Sequence, residues 1–244
     1  MTKIKKIKKI AVLTSGGDGP GMNAAIRAVV RTALNSGVEV LGVKRGYSGL
    51  IEDDFVQLKA NSVANILQRG GTILRTSRCQ EFMEVAGRKQ AFENIKKNNI
   101  DGLIVIGGDG SFNGAQALYS EFKLNVVGIP GTIDNDISGT EYTIGFDSAV
   151  RNAVEAVDRI RDTASSHDRT FICEVMGRKS TAIAMEVGVC TGAENVIIPS
   201  HEIPYEEIAT GIRRGIARGK LSSILILAEG ERPGLSYEVQ RRLD

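Results

Sequence analysis

Three aspartates follow apolar runs of the sequence and could act together. Asp109 lies in VIGGDGS (105–111), and Asp134 and Asp136 lie two residues apart in PGTIDNDISGT (130–140). A helix cap at Asp109 and an Asx-type turn around the other two are the structural alternatives. Carboxylates that converge near phosphates would repel them, and a divalent cation relieves this repulsion while it neutralises charge in phosphoryl transfer. The pattern therefore favours a magnesium-dependent phosphate site.

Two glycine-rich turns could hold those phosphates. TSGGDGPGMN (14–23) opens the first predicted helix, and GGDGS (107–111) opens a later one. Glycines let backbone N–H groups approach an anion, and a helix N-terminus adds positive potential. The first turn has neither a Walker ending nor the GxGxxG spacing, and a tight strand–helix turn is its alternative. Two such turns at one sheet edge predict a polyphosphate cradle.

Arginines are the candidates to face the transferred phosphate and its acceptor. Arg78 lies in TSRCQEF, Arg169 in HDRT and Arg178 in MGRK. Each of them alone could equally be a solvated surface arginine. Arg178 is favoured because it follows a predicted strand onto the functional edge. Glu229 in LAEG holds an equivalent strand-end position and could accept sugar hydroxyls.

The order of the elements predicts an α/β fold. Val- and Ile-rich runs, mostly without alternation, indicate strands covered on both faces. Their alternation with helices implies right-handed crossovers and a Rossmann-like, three-layer αβα arrangement of mainly parallel strands. Ligands bind at the carboxyl ends of such strands. This rule places residues 15–20, 107–111, 130–136 and 176–179 at one functional edge.

The predicted elements and boundary follow from the same patterns. A weak boundary lies near residues 138–146. Predicted strands cover residues 10–14, 38–44, 103–106, 126–129, 170–175, 196–198 and 223–228. Predicted helices cover residues 22–35, 62–68, 81–97, 112–122, 181–190 and 205–218, with a further helix capped by Asp147.

Composition excludes several classes of protein. The 244 residues are 42% hydrophobic and 25% charged, and the net charge of +2 argues against a dedicated nucleic-acid binder. The three cysteines form no Cys-x-x-Cys pair, which predicts reduced thiols in the cytoplasm. With two histidines, a His-rich metal site is disfavoured, so oxygen ligands and magnesium are expected. No run reaches the roughly 20 apolar residues of a membrane span.

Taken together, the motifs resemble ATP-dependent 6-phosphofructokinase of the bacterial type. TSGGDGPGMN, RGGTIL, GGDGS, PGTIDNDI, TIGFD, MGR and AEG occur in that order, and PGTIDND together with GGDGS is specific. The resemblance covers residues 10–231. It implies the phosphofructokinase fold with two similar domains: an ATP-binding domain at 1–145 and a fructose 6-phosphate-binding domain at 146–244, incomplete at the C-terminus.

The resemblance also implies a role for each matching residue. Asp134 is the expected general base for the sugar 1-hydroxyl, and Asp109 and Asp136 are the expected magnesium residues. Around the moving phosphoryl group it places Thr132, Gly17 and Arg178. Expected ATP contacts are Gly17, Arg78, Cys79, Asp109, Gly110 and Ser111. Expected substrate contacts are Thr132, Asp134, Asp136, Arg169, Met176, Gly177, Arg178 and Glu229.

Assembly and regulation are implied in the same way. Arg169 is expected to reach the 6-phosphate bound by a neighbouring subunit, which implies a homo-oligomer, a tetramer in the family. Ala60 and Asn65 stand where the family's effector site commonly has an arginine and an aspartate, which argues against full allosteric control by ADP or phosphoenolpyruvate. The effector-site residues that are present are Arg27, Arg31, Arg161, Glu194 and Lys220.

Two glycines predict the phosphoryl donor. Pyrophosphate-using enzymes of the superfamily tend to carry Asp where Gly110 lies and Lys where Gly131 lies. A carboxylate at 110 would repel an α-phosphate, so glycine at both positions predicts ATP. Other kinases with GGDG turns, such as NAD or lipid kinases, and a noncatalytic nucleotide-binding subunit are the competing hypotheses.

The resemblance predicts one departure that affects sugar-phosphate binding. Relatives of the bacterial type continue for about 75 residues in the family pattern, through a segment like GHxQRGGxP that supplies a histidine and two arginines. This sequence stops before that segment, inside an expected helix, so we expect a truncated form or fragment. ATP binding should then survive better than affinity for fructose 6-phosphate. Lys179-Ser180-Thr181 also replaces the glycine-containing turn that often follows MGR.

Overall fold

Strands and helices alternate along the chain, as the sequence pattern predicts. A computed structural model describes residues 6–167, 169–199 and 203–243. The strands are β1 (Lys9–Thr14), β2 (Glu39–Val43), β3 (Phe55–Leu58), β4 (Gly102–Gly107), β5 (Asn125–Pro130), β6 (Thr170–Val175), β7 (Asn195–Ile197) and β8 (Ser223–Ala228). The α-helices are α1 (Met22–Asn35), α2 (Tyr47–Ile51), α3 (Val85–Lys97), α4 (Asp109–Phe122), α5 (Phe146–His167), α6 (Ala182–Thr191), α7 (Tyr205–Ala217) and α8 (Leu235–Leu243).

Contacts divide the chain into two compact units. The first unit runs to Thr132 and includes Ile137–Gly145, and the second comprises Ile133–Asp136 and the chain from Phe146 onward. The division near Gly145 is close to the predicted boundary. The short segment Ile133–Asp136 nevertheless belongs to the second unit, because Ile133 packs on that unit's core. Residues 1–5 and 244, at the ends of the predicted domains, lie outside the described residues.

The first unit is built on a five-stranded sheet with the order β3-β2-β1-β4-β5. β1 pairs in parallel with both β2 and β4, and β3 alone runs antiparallel within this sheet. Side chains of successive residues point to opposite faces, so Leu13 and Val12 enter different core clusters. Both faces of β1 are thereby covered, which explains its unalternating apolar sequence.

The second unit is built on a three-stranded parallel sheet with the order β6-β8-β7. The central strand β8 has the sequence SILILA and is buried along its whole length. Ile224 and Ile226 pack with α5 and α6 residues, whereas Leu225 and Leu227 pack with Ile208 of α7 and with α8. Helices therefore cover both faces of this sheet also.

Helix α1 forms where the sequence predicts it. Met22, Ile26 and Val30 recur at helical spacing and are buried against the sheet. The helix ends at Asn35, and Gly37 then adopts φ +71°, which turns the chain toward β2. Because α1 begins directly after the first glycine-rich turn, its N-terminus faces the functional edge of the first unit.

Some predicted elements were wrong or shifted. Residues 62–68 form successive turns in place of a helix, with i to i−3 bonds such as Arg69 N–H to Ile66 C=O at 3.1 Å. Val63 and Ile66 still enter the core, but Asn65 has φ +53°, a left-handed conformation that interrupts a right-handed helix. The predicted helix 81–97 divides, since Glu84 is extended between a 3-10 turn and α3.

None of the helices among the described residues is both long and apolar enough to cross a membrane.

Candidate active site

Two glycine-rich turns of the first unit lie side by side. The turn after β1 is joined to the end of β4 by the Ser15 N–H, which donates to the Ile106 carbonyl at 3.0 Å. A Cβ added to Gly107 would lie 2.5 Å from Ser111 Oγ and 2.7 Å from the Ser15 carbonyl oxygen. Only glycine fits this contact. The first and second turns therefore meet at the carboxyl ends of adjacent strands, as predicted.

A third turn joins them within the same unit. The Gly131 N–H donates to the Gly107 carbonyl at 3.0 Å, so the end of β5 follows the end of β4. A Cβ on Gly108 would lie 3.3 Å from the Thr132 Cβ. Thr132 is thus placed beside the start of α4, close to the backbone of the second turn.

Asp109 is the first residue of α4, which differs from the predicted helix start at 112. Gly108 precedes the helix and makes no side-chain cap bond, and the N–H groups of Ser111 and Phe112 both bond its carbonyl. The Asp109 carboxylate accepts a bond from Asn113 Nδ2 at 3.1 Å. A negative charge here is favoured by the helix dipole. This favourable interaction with the helix dipole explains an aspartate at the first helical position, although Asp109 is not the N-cap residue.

Tyr47 contacts the backbone of the second glycine-rich turn. The sequence patterns did not identify this residue. Its hydroxyl donates to the Ser111 carbonyl at 2.5 Å, and its ring stacks on Phe82 with centroids 4.0 Å apart. Burial raises the pKa of the Tyr47 phenol well above its ordinary value. Gly114 leaves room for the ring, because a Cβ there would lie 2.9 Å from it.

Replacing Tyr47 by phenylalanine should destabilise the first unit without altering the fold. The Ser111 carbonyl would lose its buried donor, which costs about 1–3 kcal/mol. Chemical denaturation should show the loss, with Tyr119→Phe, an exposed tyrosine of the same unit, as the matched control. Equal stability of the Tyr47→Phe variant and the parent would show that this bond does not hold the turn.

Arg78 and Cys79 lie near the end of the loop of residues 69–80, which precedes the 3-10 turn at Glu81–Met83. Arg78 is exposed, whereas Cys79 is half-buried and packs against the core cluster that contains Tyr47 and Phe82. Cys79, Cys173 and Cys190 are free thiols.

In the second unit, four charged side chains lie close enough to influence one another. Burial raises the pKa of the Asp134 carboxyl, and the Asp136 and Glu229 carboxylates raise it further, while the Arg178 guanidinium opposes them. Asn135 between the two aspartates has φ +51°, so the segment is bent rather than extended. The structure therefore places Asp134 within electrostatic reach of Asp136, Arg178 and Glu229.

The raised pKa of Asp134 predicts a specific response to charge removal. A carboxyl base works when ionised, so a raised pKa moves the acid limb of its titration to higher pH. Asp136→Asn removes one repelling charge and should lower the Asp134 pKa, which extends its ionised range to lower pH. Carbon-13 NMR of the carboxyl can follow this titration, with Asp158→Asn on α5 as control. An unmoved titration would contradict the electrostatic coupling.

The turn after β6 holds Arg178 in an uncommon backbone conformation. Gly177 has φ +142° and Arg178 has φ +51°. The Arg178 N–H donates to Glu229 Oε1 at 3.1 Å, and the Glu229 N–H donates to the Val175 carbonyl at 3.0 Å. Met176, which lies between Val175 and Gly177 in the sequence, is exposed. Glu229 thus connects the ends of β6 and β8. Sequence spacing could not show this contact.

Glu174 is a second residue that the sequence analysis missed. Its carboxylate accepts the backbone N–H groups of Gly234 at 2.6 Å and Ser236 at 3.0 Å, at the start of α8. Burial alone would raise the Glu174 pKa, but these bonds outweigh it and lower the pKa. The loop that carries Glu229 is therefore anchored at its far end to β6.

Arg169 lies apart from the other predicted substrate residues. It immediately precedes β6, whereas Met176 and Arg178 follow the opposite end of that strand. Its side chain is exposed. Within this chain's second unit, the structure does not bring Arg169 to the group around Arg178.

Among the described residues, no group of three or more His, Cys, Asp and Glu side chains is arranged to hold a metal ion. A magnesium ion at Asp109 or Asp136 would need phosphate oxygens and water among its ligands, which matches the preference of this ion.

Comparison with known proteins decides the family. The phosphofructokinase family model matches residues 9–244. The chain belongs to the phosphofructokinase family. It is 54% identical over 239 residues to an ATP-dependent 6-phosphofructokinase of Thermoanaerobacter sp. (strain X514), covering 97% of this chain and 74% of the relative. It is 57% identical over 225 residues to the enzyme of that name from Staphylococcus carnosus, covering 92% and 70%.

Solved phosphofructokinases share the fold. A Pichia pastoris phosphofructokinase in the T-state superposes with a TM-score of 0.90 at 38% identity, covering 100% of this chain and 29% of that one. A pyrophosphate-dependent phosphofructokinase of Marinobacter aquaeolei superposes with a TM-score of 0.82 at 19% identity, covering 97% and 64%. The latter shows the fold alone. The predicted family, fold class and enzyme type are confirmed, and this chain spans less than a third of the Pichia pastoris chain.

Residues predicted for the phosphofructokinase effector site are divided between the two units. Arg27 and Arg31 lie on α1 of the first. In the second, Lys220 pairs with Glu194, whose carboxylate also accepts the Ile224 N–H. Burial raises the Glu194 pKa, but these bonds outweigh it and lower the pKa. Arg161 donates to the Thr191 carbonyl.

Proposed function

We propose that this chain transfers the γ-phosphoryl group of MgATP to the 1-hydroxyl of fructose 6-phosphate, the glycolytic reaction that gives fructose 1,6-bisphosphate and ADP. One observation carries the proposal: Asp134, with its raised pKa, lies in one charged group with Asp136, Arg178 and Glu229. The name shared by the bacterial relatives supports the substrates. A carboxyl with a raised pKa is suited to accept a proton from a hydroxyl.

The proposed reaction uses Asp134 as the general base. Its carboxylate takes the proton of the 1-hydroxyl as the sugar oxygen attacks the γ-phosphorus, and the bond from that phosphorus to the bridging oxygen of ADP breaks. Arg178, Thr132 and the Gly17 N–H group would stabilise charge on the transferred group. Magnesium bound to the phosphates, with Asp109 and Asp136 as its protein partners, would neutralise further charge.

Nucleotide binding is proposed for the three turns of the first unit. The N-terminal end of α4 offers the backbone N–H group of Gly110, where an anion is favoured, and Ser111 is the next residue of the proposed surface. Gly17, Arg78, Cys79 and Asp109 complete this proposed surface. ATP is the proposed donor, since Gly110 leaves space for a nucleotide.

Sugar phosphate binding is proposed for the second unit. Met176, Gly177, Arg178 and Glu229 lie on the two connected strand ends, and Glu229 would accept sugar hydroxyls. Arg169, at the opposite end of β6, would act on a neighbouring subunit's ligand in a homo-oligomer, for which a tetramer is proposed. A cytoplasmic location is proposed from the free thiols.

A coupled assay tests the function directly. Purified chain with MgATP and fructose 6-phosphate should form ADP and fructose 1,6-bisphosphate, whereas pyrophosphate should not replace ATP. A parallel panel with NAD and diacylglycerol as acceptors should show no turnover. Turnover of either acceptor in place of the sugar phosphate would overturn the proposal. Binding of MgATP without turnover of any acceptor would favour a noncatalytic nucleotide-binding role.

A further inference from the structure

The segment of residues 69–76, here called the clamp segment, is bonded to both ends of the first glycine-rich turn. At the α1 end, Asn23 is 1% exposed, and its side chain bonds to backbone groups of the clamp segment. Its Nδ2 donates to the Arg69 carbonyl at 2.9 Å and to the Gly70 carbonyl at 3.4 Å. Its Oδ1 accepts the Ile73 N–H at 2.9 Å.

At the β1 end, two hydroxyls continue the connection. Thr14 Oγ1 donates to the Arg75 carbonyl at 2.9 Å and lies 2.9 Å from Thr72 Oγ1. Thr76 Oγ1 donates to the Gly16 carbonyl at 2.6 Å. The last of these bonds reaches the middle of the glycine-rich turn, where Gly16 has φ +91° and no side chain restricts the backbone.

The bond from Thr76 has a geometric consequence for the next residue. The Gly16 carbonyl and the Gly17 N–H belong to one planar trans peptide unit and point in opposite directions. A hydroxyl that holds the carbonyl therefore fixes the direction of the Gly17 N–H. Asn23 and Thr14 hold the clamp segment itself, so Thr76 is a fixed donor.

We propose that Thr76 is a positioning residue that aims the Gly17 N–H at the γ-phosphoryl group of the nucleotide. The inference rests on the proposed function, in which Gly17 faces that group. Thr76 acts through the Gly16–Gly17 peptide and needs no contact with the ligand. Donors aimed in advance at a phosphoryl group contribute without reorganisation during the reaction.

Calorimetric binding of MgATP and MgADP to Thr76→Val, Thr76→Ser and the parent tests this inference. Valine keeps the shape of threonine without the hydroxyl, so its affinity for MgATP should fall about five- to tenfold, the range of one hydrogen bond. Affinity for MgADP, which lacks the γ-phosphoryl group, should change less than twofold. Serine restores the hydroxyl and should restore MgATP binding. Ser62→Ala removes a hydroxyl that accepts the Lys59 N–H and serves as control.

The outcomes separate this inference from the function on which it rests. Unchanged MgATP affinity in Thr76→Val, or equal losses for MgATP and MgADP, would overturn the role of Thr76 and leave the proposed function standing. Failure of serine to restore binding would overturn it also. If the parent itself does not bind MgATP, the proposed function fails, and the inference fails with it.

Discussion

Asp134→Asn is expected to reduce turnover of fructose 6-phosphate by about 10²–10⁴-fold, the usual contribution of a positioned general base. Asparagine keeps the shape of the side chain but cannot accept the hydroxyl proton. The nucleotide turns belong to the first unit, so the MgATP dissociation constant should remain within about twofold of the parent. A coupled assay and calorimetry on the same preparations measure both quantities.

A matched variant controls for the loss of a charge. Asp158 lies exposed on α5 of the same unit, and Asp158→Asn should keep parental turnover. Comparable turnover of Asp134→Asn and the parent would remove Asp134 from its role as base. Parallel loss of turnover and MgATP binding would instead indicate that the substitution damages the protein.

Gly110→Asp is expected to weaken MgATP binding by roughly 1–4 kcal/mol, at least about fivefold, because a carboxylate would face the nucleotide phosphates. Gly110 suits this test, since no described atom apart from its chain neighbours and the α4 backbone lies within 4 Å of the position that a Cβ would take. Gly110→Ala should consequently fold like the parent, and its MgATP affinity measures the effect of the Cβ bulk without a charge. Calorimetry at low and high salt would separate the charge from the bulk, since screening should reduce the aspartate effect alone.

Gly131, the other glycine of the donor prediction, stands in a different environment. A Cβ there would lie 2.8 Å from Ile106 Cγ2, so any side chain requires local repacking. Gly110→Asp alone is therefore the cleaner test. Unchanged MgATP affinity in Gly110→Asp would show that this position does not discriminate between nucleotide and pyrophosphate.

The parallel strands could be predicted because their signal is local. Runs such as AVL in β1 and ILIL in β8 are apolar on both faces and short, and their length favours a buried strand over a helix. β3 was missed because FVQL is four residues long and its strand identity depends on pairing with β2. The start of α4 at Asp109 was missed because GGDGS is typical of a turn, although tertiary contacts allow the helix to begin within it.

The sequence by itself determined the family, most of the parallel strands and longer helices, and the candidate residues at the strand ends, because motifs and apolar runs are local properties of the chain. Only the tertiary structure decided how those residues behave. The pKa of Asp134 depends on burial and on Glu229, 95 positions away. The support of Ser111 by Tyr47 and of Gly16 by Thr76 spans 64 and 60 positions. Such bonds follow from packing, for which spacing in the sequence gives no signal.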